Sequence, residues 1–138
     1  MLQVVSANTT TITSIVSATY TDTTITATIT PTSATSKILI LASAISYLYK
    51  DPSTSIGAGA RLVRDSTTLF TNGNAQIVTV TGAGYIDFAH MASWSYLDSP
   101  ATTSATTYKI QAKTNGSVEV RYQVGNDTSV ITLLEIGA

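Results

Sequence analysis

Apolar and polar residues alternate along most of this chain. Residues 23–30, TTITATIT, show the pattern: Thr24, Thr26, Thr28 and Thr30 alternate with Ile25, Ala27 and Ile29. A period of two puts one set on each face of a strand, whereas helices need a period near 3.6. The alternation predicts strands over 12–20, 23–30, 37–49, 60–64, 69–71, 75–81, 85–97, 107–114, 117–124 and 129–136. Pro31 stops the second of these, and Asp22 marks a bend or bulge before it. The third, beginning KILILAS, is apolar on both faces at its start and so belongs in the middle of a sheet. The closing SVITLLEI reads the same way.

Turn chemistry separates the runs. Asp51-Pro52 and the serines and glycines after it predict a loop over 50–59. Asp65-Ser66-Thr67-Thr68, Asn72-Gly73-Asn74, Gly82-Ala83-Gly84 and Gly125-Asn126-Asp127 predict turns. Asn115-Gly116 between two alternating runs predicts a hairpin of 107–114 with 117–124. Nine or ten short strands without a crossover helix predict an all-β fold. The strand number favours one antiparallel β-sandwich of jelly-roll type, with about eight to ten strands. Residues 12–138 are assigned to this domain and residues 1–11, MLQVVSANTTT, to an N-terminal arm.

Composition changes the picture in one respect. Charged residues make up 11% of the 138 positions, and 42 positions are Ser or Thr. An average domain carries about 25% charge, so hydroxyls do much of the work of solvation here. An uncharged, β-prone stretch such as TTITATIT is open to pairing with another chain unless something covers it. A low-charge surface therefore suits a protein that buries much of that surface in an assembly.

The seven basic residues are scattered and form no stripe able to neutralise phosphates, which argues against nucleic-acid binding. The chain has no cysteine, which excludes disulfides and thiolate metal sites. The apolar run 37–50 is too short to span a bilayer as a helix. MLQVVSANTTT does not have the form of a secretory signal.

Candidate chemistry is sparse. His90 is the single histidine, and no GxSxG elbow accompanies the many serines. Asp22, Asp51, Asp65, Asp87, Asp98, Glu119, Asp127 and Glu135 form no EF-hand loop, and Asp51, Asp98 and Asp127 read as turn residues. Neither a catalytic set, a cofactor site nor a metal site is expected, and the chain does not read as an enzyme. Sequons at Asn8, Asn115 and Asn126 are chance triplets in a chain this rich in Ser and Thr. The aromatics say more. Tyr47, Tyr49, Tyr85, Trp94 and Tyr96 suit either a sandwich core or a subunit interface. Thr26 and Thr28 face outward on their strand and join them as interface candidates.

Four stretches together carry a resemblance. TITPTSATSKILILAS is similar to a segment of small bacteriophage virion proteins and fibre domains. In these an ITP-S-SKI-L pattern leads into a buried strand. Arg64-Asp65-Ser66-Thr67-Thr68 resembles their RDGTT-type turn, with Ser66 in place of the usual glycine. YLDSPATTSATTYKIQAKT and the terminal ITLLEI resemble two further segments, in the same order, so the likeness covers most of residues 25–136. It implies a jelly roll similar to the tumour-necrosis-factor-like fold, assembled as a homotrimer on a virion, without catalysis.

The chain holds little beyond that domain, which favours a capsid decoration (cement) protein. Such a protein would bind the major capsid protein on the outer capsid surface, with Leu2, Val4 and Val5 of the arm as contact candidates. The alternative is a short fibre or receptor-binding tip, whose exposed aromatics would contact host-surface glycan. A secreted signalling-type trimer and a hydrolase are less favoured.

Overall fold

The computed structural model describes residues 1–50, 56–78, 86–115 and 119–137. Among them are ten strands: β1 (Gln3–Thr9), β2 (Thr13–Ile15), β3 (Thr21–Ile29), β4 (Lys37–Lys50), β5 (Ile56–Arg64), β6 (Thr67–Val78), β7 (Ile86–Asp98), β8 (Thr106–Asn115), β9 (Glu119–Tyr122) and β10 (Ser129–Ile136). One 3₁₀ turn, Val124–Asn126, precedes β10.

The strands form two antiparallel sheets. Sheet B runs β3-β8-β5-β6. Sheet A is built around β4. β7 lies along one edge of β4, while β10 and then β9 share the other edge, flanked by β1 and β2 respectively. Without the short β2 and β9, the remaining eight strands pair first with last. β1 pairs β10, β3 pairs β8, β4 pairs β7 and β5 pairs β6. This is one long hairpin rolled into two facing sheets, the jelly roll expected from the strand count.

The core lies between the sheets and follows the alternation. Ile38, Ile40, Ala42, Ala44 and Leu48 of β4 point inward with Ile131 and Leu133 of β10. Opposite them lie Ile25, Ala27 and Ile29 of β3, Tyr108 and Ile110 of β8, and Leu62 of β5. TTITATIT thus buries its Ile and Ala side, as its pattern requires. The bulge expected at Asp22 is present, since the β3–β8 register shifts between Asp22 and Thr26.

Several expectations are corrected. Residues 3–9 do not stand off as an arm: they pair residue by residue with β10, from Gln3↔Glu135 to Thr9↔Ser129. The alternation of Val5 and Ala7 packs that strand against the core. The strand expected over 12–20 is reduced to 13–15. Residues 56–59, expected in a loop, begin β5, with Gly57 and Gly59 buried. Asn72-Gly73-Asn74 does not turn. It lies within β6, where the register with β5 jumps from Ala58↔Gln76 to Ala60↔Asn72. The turn residues there make a bulge in an edge strand.

The expected hairpin of 107–114 with 117–124 is also absent. β8 has both edges occupied, by β3 and β5, so β9 crosses to sheet A and pairs β2 and β4. Residues 51–55, the Gly82-Ala83-Gly84 turn and residues 116–118 lie outside the described residues.

The rest of the chain reaches the free side of β3 at Thr24 and just past its end at Thr30. Thr24 Oγ1 donates to the Thr11 carbonyl at 3.2 Å and lies 3.3 Å from the Thr9 and Thr13 hydroxyls. Farther along, Gln3 Nε2 donates to the Thr30 carbonyl at 2.6 Å. Hydroxyls supply hydrogen-bonding partners that a bare strand edge would otherwise seek in another molecule.

Candidate functional site

The two outward faces of the sandwich differ in chemistry. On sheet A the register aligns Val4, Leu134, Leu39 and Leu97 in one row across four strands. The next row is Ser6, Thr132, Leu41 and Ser95, and the one after is Asn8, Val130, Ser43 and Ser93. Ile45 and Met91 face each other beyond them. None of these residues is charged. Met91 is 70% exposed, Leu97 50%, Val4 49% and Leu41 42%. The small serines leave a shallow depression of about 340 Å³ between Leu41, Ser43, Ser93, Val130 and Thr132. The face is thus uncharged, with an apolar row at one end and hydroxyl and amide side chains beside it.

Among the described residues, charge appears only at the ends of this face. Lys37 lies at one end, and at the other Arg121 Nη2 donates to Glu119 Oε2 at 2.6 Å. That bond, opposed by desolvation, holds the Glu119 carboxyl below its ordinary range. Strand β7 borders the face and pairs only β4, so its other edge is open among the described residues. The described part of β7 from Phe88 to Leu97 has no Lys, Pro or register shift, the usual protections of an open edge.

On sheet B the outward residues are polar and include charged side chains. Lys109 Nζ donates to Asp22 Oδ2 at 2.8 Å, and Gln111 Nε2 donates to Asp22 Oδ1. The Lys109 bond, followed by the Gln111 bond, lowers the Asp22 pKa. Arg61 Nε donates to Gln111 Oε1 at 2.6 Å.

The sequence-derived candidates fall in different places. Tyr47 and Tyr49 do face outward on β4. The Tyr47 hydroxyl donates to Asp127 Oδ2 at 2.8 Å, and the Arg121 guanidinium lies 5.1 Å from the Tyr49 ring centroid. Trp94 is a correction: it is 6% exposed and belongs to the core, since it pairs Ala42 on the inward face. Tyr96 shares that face and packs on Phe70, ring centroids 5.8 Å apart. A glycan-binding tip thus loses Trp94 and Tyr96 from the aromatics it would use. Tyr85 lies outside the described residues. Thr26 and Thr28 are exposed, but on sheet B, where Thr28 Oγ1 lies 2.8 Å from Thr107 Oγ1. Leu2 and Val4 are exposed beside sheet A, whereas Val5 packs inward.

His90 Nδ1 lies 3.2 Å from Ser46 Oγ, and burial lowers the imidazole pKa. Ser46 is buried, so its hydroxyl does not meet solvent as a nucleophile would. Among the described residues no group of three or more His, Asp or Glu could hold a metal ion. Asp98, expected in a turn, ends β7 and receives Arg64 Nη1 and the Tyr108 hydroxyl. Sequence reasoning missed the uncharged sheet A face, although the signal was present. The outward positions of KILILAS, MASWSYL and VITLLEI carry no charge beyond Lys37.

No family model matches the chain, and no curated protein matches it. Among solved structures it is similar to a chain of "Structure of infectious bursal disease virus Gx strain", with 10% identity and a TM-score of 0.35. The match covers 95% of this chain and 37% of that one, so this chain spans little more than a third of that chain's length.

Proposed function

We propose that this protein is a virion structural subunit. In this reading it trimerises through the outer face of sheet A and decorates the outer surface of a phage capsid. The carrying observation is the uncharged face formed by residues 39–45 of β4, 91–97 of β7, 130–134 of β10 and 4–8 of β1. An uncharged face is best complemented by another uncharged face, and the charged pairs of sheet B do not provide one. A second copy of sheet A does. The virion assignment rests on the resemblance of residues 25–136 to small phage virion proteins.

Size favours a ring over a simple pair. Four strands about 4.8 Å apart and about seven residues long span roughly 440 Å² in projection. A stable interface takes about 800 Å² from each partner. In a closed ring each subunit sets its sheet A face beside those of two neighbours, so it is held by two contacts rather than one.

Decoration then works by mass action. Many copies bind the assembled shell and not its separated subunits, and this shifts the balance towards the shell. The test is co-sedimentation with emptied capsids of the encoding phage that lack this protein. The expected result is saturable binding and a higher shell melting temperature. Protein left in the supernatant, together with a specific hit on a glycan array, would favour the fibre reading instead.

A further inference from the structure

Two cations on the outer face of sheet B converge on one aromatic ring. The Arg61 guanidinium carbon lies 4.4 Å from the Tyr20 ring centroid and Lys113 Nζ lies 5.3 Å from it. Register places Arg61 opposite Gln111 and Gly59 opposite Lys113, so both cations reach Tyr20 from adjacent strands. Among the described residues no carboxylate pairs with either one. Asp22 is close enough for the Arg61 charge to help lower its pKa, but its hydrogen bonds go to Lys109 and Gln111. By contrast, Arg64 has Asp98 and Arg121 has Glu119. The Tyr20 hydroxyl is buried, so the ring is fixed at its hydroxyl end while its face carries the two cations.

We infer that the Tyr20–Arg61–Lys113 cluster is a docking site for carboxylates on an acidic protein surface. Under the proposed function that surface belongs to the capsid shell, so the inference names the partner side of that reading and rests on it. Arg61 uses its Nε on Gln111, which leaves the terminal fork of the guanidinium free for a carboxylate. The ring holds both cations in place, which reduces the side-chain entropy lost on binding. Two free charges match one or two carboxylates. A polyanion such as a sulfated glycan calls for a longer basic stripe, and here Asp22 interrupts it. The division of labour follows: sheet A meets copies of the chain, and sheet B meets the shell.

The probe is a fluorescently labelled hexaglutamate peptide, read by anisotropy at low and moderate salt. The wild-type trimer is expected to bind it, more weakly as salt rises. Arg61→Gln with Lys113→Gln is expected to bind about tenfold more weakly, the loss of two exposed ion pairs. Lys37→Gln, which removes an exposed lysine at the end of sheet A, is expected to bind normally. Circular dichroism and trimer mass confirm that the double variant folds.

Equal binding by the double variant and wild type overturns the inference. So does binding of a heparin hexasaccharide without binding of hexaglutamate. In shell co-sedimentation, a double variant that binds as wild type does overturns the inference alone. Failure of the wild type itself overturns the decoration reading, and the shell assignment with it.

Discussion

Tyr108 and Asp98 close the sandwich at one end: the Tyr108 hydroxyl donates to Asp98 Oδ2 at 2.8 Å. Tyr108 belongs to sheet B and Asp98 ends the β7 strand of sheet A, so the bond ties the two sheets. Arg64 Nη1 reaches both oxygens of the same carboxylate, at 2.9 and 2.8 Å. Tyr108→Phe removes one neutral donor and is expected to cost about 1–2 kcal/mol. Asp98→Asn leaves Arg64 without its anion. Because that guanidinium keeps 23% exposure, the expected cost is about 2–3 kcal/mol rather than the full value for a buried pair. Urea midpoints check the order, and equal losses would show that Arg64 contributes nothing.

Alkali should weaken the fold through two tyrosines. Burial raises the Tyr108 pKa far above 10.0, helped by its bond to Asp98, and burial alone raises that of Tyr122. Below pH 10 both are neutral in the folded and unfolded chain, and their contribution is intact. Above it the unfolded chain releases protons that the folded chain keeps. Stability therefore falls with pH, by up to about 1.4 kcal/mol per unit for each tyrosine. Melting temperatures from pH 9 to 11 test this, with Tyr108→Phe expected to flatten the slope.

Acid should act through Glu135. Its surroundings work in opposite directions: desolvation raises the pKa, while the Ser36 and Thr32 hydroxyls, Gln3 and the Thr32 N–H bring it down to about 2. Thr32 N and Thr32 Oγ1 each approach Glu135 Oε1 at 2.7 Å. A lowered folded pKa contributes stability above the unfolded value of 4.5, and that contribution is lost as pH falls towards 2. Melting curves across that window should slope less in Glu135→Gln. Asp22 and Glu119 leave some slope behind, because their pKa values are lowered too.

Gly59→Ala should be costly despite being a small change in a strand. A Cβ there would lie 2.8 Å from the Gly73 carbonyl oxygen and 3.2 Å from that of Asn72, both backbone atoms of the β6 bulge. Either the bulge shifts or the strands separate, at about 1–3 kcal/mol. Gly73→Ala, where an added Cβ meets nothing within 4 Å, is the control and should cost much less.

The parts of this fold that were legible from sequence are those in which one strand's own alternation decides its fate. TTITATIT buries the set of residues that its period selects, and KILILAS and SVITLLEI, apolar on both faces, lie between other strands of sheet A. What sequence misjudged depends on which strand lies alongside. Asn115-Gly116 has good hairpin chemistry, but β8 was already paired on both edges, so the chain crossed to the other sheet. Asn72-Gly73 likewise serves a bulge because β6 continues beside β5. The Arg64–Asp98–Tyr108 clasp was invisible for the same reason, since Arg64 and Asp98 stand 34 positions apart. TTITATIT is the edge strand of sheet B, and the threonines of residues 9–13 reach its free side at Thr24. The outer face of sheet A emerged only once the register stacked Val4, Leu134, Leu39 and Leu97.

The central claim is that this face joins copies of the chain. Light scattering on the purified protein at micromolar concentration tests it most directly, with Leu41→Lys and Met91→Lys on sheet A compared with Thr26→Lys and Thr28→Lys on sheet B. A mass three times that of the 14.4 kDa chain is expected for wild type and for the sheet B variants. The sheet A variants should fall to a folded monomer, because a lysine in an uncharged interface is buried without a partner. A wild-type monomer, or a trimer that survives both sheet A substitutions and dissociates on those at Thr26 and Thr28, would contradict it.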